Sequence, residues 1–490
     1  MLLFTLLLAS PAHAHIGSKD VFEQISSGPY KFFVTIRPPT VVPGVAVVEV
    51  RTLGPAVTTL NITPIPLTGE ASLHPPSPDA MQRSAADPNF FTGSLWLMAS
   101  GSWQVRLQAA GAGGPATASV PVPAMALSVL RMQRPMGAVL GALGILLVLG
   151  MAGIIYGAVR EARLPPGEIP DANRRRRAAI AGGFTLALLA LAVWGGDKWW
   201  NVEAADYSAD LYHPLTLHPT LAGNTLDLHI DSGIPDEEGR RRSNADLLPD
   251  HGHLMHLYAI RWPEMDAAYH LHPHLVAPGE LRSTLPGMPA GTYHLYGDIV
   301  HRSGFPETLT ATLVVPPSTS HAALDGEDAA AAPAPLSAGE LGTKYKLPDG
   351  YTMVWDRPKG LTANTAELFR FTLLDPAGQP ATDMQPYLGM AGHAAFVKTD
   401  GTVFAHTHPD GSAAMPAMML ANSGMSDMSA TGMADMGSPA DPGKAGSSAE
   451  PLDPIVEFPY GFPSAGRYRI FIQMKHGGTV ETGVFDAEVK

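Results

Sequence analysis

Met136–Val159 runs for 24 residues without a charged side chain, and Ala178–Gly196 for another 19. As helices, both runs are long enough to cross a hydrocarbon layer of ~30 Å. Between them, residues 160–177 carry Arg160, Arg163 and the block Arg174–Arg177 against three acids. By the positive-inside rule this basic loop faces the cytoplasm. Trp194, Trp199 and Trp200 then fall where an outer interfacial aromatic belt belongs. The expected topology is a two-helix transmembrane hairpin (136–159 and 178–196) in a bacterial inner membrane, with the N- and C-terminal parts on the extracytoplasmic (periplasmic) side and the lipid bilayer as a partner. Gly141–Gly144 and Gly150–Gly153 offer small surfaces for close packing of the first helix. Residues 1–14 read as a signal peptide: a short apolar run ends in A-x-A (Ala12, Ala14), placing a cut before His15.

The 490 residues outside and inside this hairpin imply three or four folding units. A net charge of −13 argues against a nucleic-acid partner, which would need a basic face. Glycine (50) and proline (46) are too abundant for a mostly helical protein. Cysteine is absent, which excludes disulfides, thiolate zinc, Fe–S and blue-copper sites and a cysteine nucleophile. Histidine (19) and methionine (21) remain for metal chemistry.

The fold class expected is mainly β: three Ig-like or cupredoxin-like β-sandwiches plus the hairpin. Residues 15–123 contain six short β-branched runs divided by Pro/Gly turns: Tyr30–Ile36, Val45–Arg51, Val57–Ile62, Ser94–Met98, Trp103–Leu107 and Ala116–Val122. Residues 202–316 form a His-rich sandwich. Residues 317–340, rich in Ala, Pro and acids, read as a linker. Residues 341–490 form a second His-containing sandwich, interrupted by a Met-rich insertion at 413–450 whose Ser, Gly and Asp content predicts disorder.

The two later sandwiches look like copies. Pro249–His256 (PDHGHLMH) aligns with Pro386–His393 (PYLGMAGH), and Tyr269–Pro273 (YHLHP) with Ala405–Pro409 (AHTHP). Ala290–Tyr293 (AGTY), with His301 eight residues on, aligns with Ala465–Tyr468 (AGRY) and His476. Ser100–Trp103 (SGSW) is a weaker third version. A Gly-x-Tyr entering a late strand predicts a tyrosine corner, its hydroxyl tying down a turn.

Eleven histidines lie between His213 and His301, and the four of the third domain all match members of that set. Residues two apart on a strand share a face. His270 with His272, and His406 with His408, therefore project together. His256 and His393 enter from a neighbouring strand, and His301 and His476 from the rim of a third. The alignment pairs His253 with Met390, a swap that copper tolerates better than zinc. Each copy is thus expected to present three or four N/S ligands at one end of its own sandwich. Hydrogen-bonded rim histidines without metal are the structural alternative. In the insertion, Met415, Met418, Met419, Met425, Met428, Met433 and Met436 offer thioethers for Cu(I). Cleavage before His15 would add an α-amine and imidazole to the candidates, with His74 as a further ligand.

The opening HIGS after the A-x-A site, on a small sandwich, resembles the periplasmic copper-resistance domains called CopC-like. The repeated Gly-His…His-x-His-Pro…Gly-x-Tyr pattern is similar to YtkA/FixH-like domains and to a group of bacterial integral membrane proteins of unknown activity, which Phe32–Glu49 and Leu95–Val105 also fit. The resemblance implies an Ig-like fold, periplasmic exposure and a copper or heavy-metal role, with His15 as the N-terminal ligand. The Asp-x-His pair that completes the CopC-like site is missing from 15–123.

The expected function is a membrane-anchored periplasmic copper-binding protein for metal resistance or homeostasis, with a copper exporter or copper chaperone as partner. Two further readings are open: a copper-dependent oxidase or monooxygenase, and a metal-free interaction scaffold of tandem sandwiches.

Overall fold

The computed structural model describes residues 20–232, 243–317, 322–422 and 452–490. The chain divides into two compact units. One comprises Met1–Met125 with His213–Lys490, and the other Ala126–Tyr212.

The smaller unit is a pair of helices, Arg134–Glu161 and Ala172–Ala209, both long and apolar enough to cross a membrane. Pro135 near the start of the first helix needs no backbone donor there, and the Asp171 carboxylate caps the second through the Arg174 amide. The helices meet at Ala152, Ala178 and Gly182, where a Cβ on Gly182 would stand 3.5 Å from the Tyr156 Cβ. The expected glycine pairs do not make this contact. Gly141, Gly144, Gly150 and Gly153 face open space, because the small surface that matters lies on the other helix.

The larger unit is mainly β, with six antiparallel sheets among the described residues. The N-terminal region has a five-stranded sheet built on Val21–Ser27, Tyr30–Arg37, Gly44–Leu53 and Phe90–Leu97. Its second sheet is built on Val57–Pro66, Gly101–Gly111 and Gly114–Ala124. Strict alternation along Gly44–Leu53, with Ala46, Val48 and Val50 buried and Val45 and Val47 exposed, marks a sheet with one wet face.

The second region pairs a four-stranded sheet (Leu217–Ala222, Thr225–Ile230, Glu280–Thr284, His274–Ala277) with one centred on Gly291–His301, His256–Trp262 and Ala268–Leu271. The third pairs Thr352–Asp356, Glu367–Leu374 and Ile455–Tyr460 with a sheet centred on Gly466–His476, His393–Lys398 and Phe404–Thr407. The duplication is visible in the backbone. His251 and Leu388 both take positive φ (50° and 51°), and each precedes a glycine of φ 89° or 82°. His256 pairs with Asp298, and His393 with Gln473, in the same register. The Tyr293 and Tyr468 hydroxyls each donate to the carbonyl four residues back at 2.8 Å, and the Trp103 indole does the same at 2.9 Å.

The two central sheets are covered on both faces. In His256–Trp262 the odd residues Leu257 and Ala259 enter their own sandwich core, while Tyr258 and Ile260 face the other domain. In His393–Lys398, Ala394 and Phe396 point inward, and Ala395 and Val397, with Phe404 of the neighbouring strand, meet Tyr258 and Tyr296 across the seam. Arg469, fully buried, clips this seam. It makes a bidentate pair with Asp486 (2.8 and 3.0 Å) and donates to the Met265 and Ala334 carbonyls at 2.9 Å.

Two expected irregular stretches are partly ordered. In the 317–340 linker, Ala329–Ala331 forms an edge strand on Ala268–His270, because Ala329 and Ala331 are small enough to bury there. In the 413–450 insertion, Met415–Asn422 is a helix whose Ala417 and Ala421 pack on Leu67.

Truncating Arg469 would leave the buried Asp486 with only Arg467 and an amide. Arg469→Ala is expected to cost about 3 kcal/mol. Urea unfolding of the detergent-solubilised chain followed by tryptophan fluorescence would measure it, and Arg469→Ala/Asp486→Asn should recover part of the loss.

Candidate metal centre

The parity that buries Tyr258 and Ala395 in the seam also places histidines there. His256 follows Tyr258 and Ile260 in phase; His270 and His272 follow Ala268; His393 follows Ala395; His406 and His408 follow Phe404. The His251–Gly252 turn adds His251. Rings from both copies thus meet at one end of the interface between the sandwiches, not at the tips of separate sandwiches. Exposure of His256, His270, His393 and His408 is 1%, 1%, 0% and 4%.

Two trios each bring together one ring nitrogen per residue, within 4.8 Å of one another: His256, His270 and His272, and His251, His393 and His408. In the first, His256 Nδ1 and His270 Nε2 are hydrogen-bonded to each other at 3.1 Å and His256 Nε2 to the Asp250 carbonyl at 3.0 Å, so an ion there would have to displace these bonds. His406 lies close to both, with ring centroids 5.3 Å from His256, 5.5 Å from His393 and 4.8 Å from His408. His253 lies against His272, with ring centroids 4.2 Å apart and planes tilted by 34°, and its Nε2 is 2.9 Å from Glu327.

Outer groups hold one nitrogen of several rings. His272 Nδ1 bonds Asp328 at 3.0 Å, and His406 Nδ1 lies 3.3 Å from Asp298. His270 Nδ1 bonds Gln473 at 2.8 Å, and its ring stacks on Tyr258 at 4.2 Å. The opposite atoms of His272 and His406, both Nε2, are buried without a hydrogen-bond partner, as are His251 Nε2, His408 Nε2 and both ring nitrogens of His393. An unpaired buried acceptor costs about 1–3 kcal/mol, so a cluster of them in one place is the signature of a site shaped for something other than protein hydrogen bonds. A carboxylate on one ring nitrogen with the other aimed inward is the usual support for a metal-bound imidazole.

Burial first, and neighbouring imidazoles second, push the pKa values of His256, His270, His393 and His408 well below the usual histidine range. Burial lowers His251 to about 4 and also lowers His272. Neutral imidazole is the ligand form. Burial raises Asp250, beside His251, to about 6.

Not every expected ligand is there. His301 and His476 continue the opposite parity, behind Leu295 and Ile299, and behind Ile470, Ile472 and Met474. They therefore leave the seam for the far rim of their own sandwiches. Both His301 nitrogens are taken, by Asp246 (2.8 Å) and Glu307 (2.9 Å). His476 stacks on Tyr351, with Asp349 at 3.2 Å and Asp383 at 3.7 Å. Met390 contributes its backbone to the turn that pairs with Tyr387. Met415, Met418 and Met419 lie on the short helix, where the Met415 amide donates to Asp250. His15, Met425, Met428, Met433 and Met436 lie outside the described residues. His251 was missed, although the HGH spacing in the aligned turn flagged it. Glu327 and Asp328 were missed because they sit in what reads as a linker.

The N-terminal region braces the ligand loop. The Gln24 amide donates to the Asp410 carbonyl (2.6 Å), the Ser412 amide to the Phe22 carbonyl (2.9 Å) and the Ala413 amide to the Glu23 carboxylate (2.6 Å), just after His408.

A family model described as a domain of unknown function (DUF8832) matches residues 345–490, the third β region with His393, His406 and His408. No curated protein matches the chain. Among solved structures, a tetra-tandem repeat from the extending region of a large adhesion protein is 9% identical, covering 92% of this chain and 71% of that one at a TM-score of 0.16. A 1.5-MDa bacterial ice-binding adhesin is 7% identical, covering 91% of both at 0.16. The ICAM-5 D1–D4 ectodomain fragment is 9% identical, covering 94% and 77% at 0.16. Superpositions this loose bear on neither fold nor function here.

With metal removed by chelation, stability should decline on both sides of neutrality. The unfolded chain protonates its histidines near pH 6.5 while the seam holds them neutral, so their contribution is complete above about 6.5 and drains as pH falls toward about 4. Asp250, raised, opposes this for one group. For His301, burial works against the charge, but Asp246 and Glu307 outweigh it and raise the group to about 9. Its contribution is complete below about 6.5 and lost as pH rises through about 9. Melting temperature against pH would show this dome. His301→Gln should flatten only the alkaline side.

Proposed function

We propose that this chain is a membrane-anchored, extracytoplasmic copper-binding protein that holds its metal in the seam between two duplicated Ig-like sandwiches. The observation that carries the reading is the set of buried, partnerless imidazole nitrogens on His251, His272, His393, His406 and His408, drawn from both domains, with carboxylates behind His272 and His406. Imidazole alone suits Zn, Ni and Cu, and the Irving–Williams order places Cu(II) highest. Three neutral nitrogens in a trio also match the low coordination number of Cu(I), for which imidazole is a borderline donor. This agrees with the copper role implied by the CopC-like and YtkA/FixH-like resemblance.

The anchoring half of the proposal rests on the two apolar helices and the arginines between them. The basic loop then lies in the cytoplasm, and the histidines on the opposite side of an inner membrane, behind a cleaved signal peptide. There the thiol-free chain would meet copper without forming disulfides. The seam is closed to bulky substrates, which favours holding and handing over an ion, to a copper exporter or chaperone, over catalysis on an organic molecule. The His15 terminus and the Met-rich insertion would serve as accessory capture groups.

The purified chain, loaded with copper and desalted, is expected to retain metal that His272→Ala/His393→Ala does not. Equal copper in both would end the reading. Asp328→Asn should weaken affinity about 10–100-fold, because the His272 ring loses its orienting partner. At free copper 100 times Kd, loading should add about 2.7 kcal/mol to stability, read as a raised melting temperature.

A further inference from the structure

The copper reading leaves open whether the seam holds separate ions or one centre. The contacts across it are reciprocal. Asp298 of the second domain holds His406 of the third, and Gln473, which aligns with Asp298, holds His270, which aligns with His406. Reciprocity of this kind is what an isologous, two-fold-related interface produces, and it sets the two trios side by side instead of at opposite ends. The central rings of the trios, His256 and His393, lie 6.3 Å apart at 23° to each other. His406 belongs to neither trio, yet its centroid is 5.3 Å from one central ring and 5.5 Å from the other, with its Nε2 buried and unpartnered.

We propose that the seam binds two copper ions as a single coupled centre, one on His256, His270 and His272 and the other on His251, His393 and His408, with His406 between them. The trios are chemically unequal. His251 comes from the second domain, and its counterpart in the third is Leu388, so the second ion is gripped by both domains and the first by one. Repulsion between the ions grows with the product of their charges, about fourfold from a Cu(I) pair to a Cu(II) pair. The centre is therefore less strained as a Cu(I) pair than as a Cu(II) pair.

This inference rests on the copper reading but fails separately from it. The full chain in detergent would be loaded anaerobically with Cu(I), desalted and analysed for copper, then oxidised with ferricyanide for spin quantitation by electron paramagnetic resonance. Wild type is compared with His251→Ala/His408→Asn and with His256→Ala/His393→Ala, each checked for native melting in chelator. The expected result is two more coppers in wild type than in the variant lacking both central rings, and one more than in the variant lacking His251 and His408. The two seam coppers of oxidised wild type should give clearly less than two spins, and the remaining copper of the His251/His408 variant a full spin. A difference of only one copper from the variant lacking both central rings, or two full independent spins in wild type, overturns the coupled pair while leaving copper binding intact. No difference from the variant lacking both central rings overturns copper binding in the seam itself.

Discussion

The structure depends on two β-sheets being buried on both faces. Each central sheet closes its own sandwich with one set of alternate residues and meets the other domain with the remaining set. Apolar contact between Tyr258, Tyr296, Phe404 and Val397 excludes water along most of the seam, and the Arg469–Asp486 pair supplies a buried charge clip. Where the apolar residues give out, the same alternation continues in histidine. Desolvation then keeps those rings neutral, and so the physical force that joins the domains also sets the ligand form of the site.

Much of this was legible in the residues. The six expected strands of the N-terminal region all occur, the internal duplication holds down to backbone sign and strand register, and the tyrosine corners form as the Gly-x-Tyr spacing implies. The His-x-His pairs do share a face. What could not be read was which face. His301 and His476 follow the core-facing residues correctly, but the other histidines follow the seam-facing ones, and only the docking of two domains makes that second face an interior. A sign of it was present: Leu257–Ile260 and Ala394–Val397 are uninterrupted apolar runs, as strands covered on both sides must be.

Composition misled where small residues were concerned. The Ala-rich 317–340 stretch and the start of the Met-rich insertion look too featureless to order, yet alanine is what fits against an existing surface. Ala329 and Ala331 let an edge strand close on Ala268–His270, which carries Glu327 and Asp328 to the histidines. Ala417 and Ala421 do the same for the short helix over Leu67. In the helical hairpin the error ran the other way: glycines conspicuous in the first helix face outward, and a single Gly182 in the second makes the close approach.

The hydrogen bonds between Val21–Ser27 and the turn after His408 have an architectural corollary. A polypeptide separated from the C-terminal modules by the whole helical hairpin nevertheless stitches itself to the hinge from which a ligand projects. The smallest autonomous fragment that preserves the imidazole cage is consequently discontinuous in sequence. Any excised C-terminal piece would surrender the brace on the loop that follows His408.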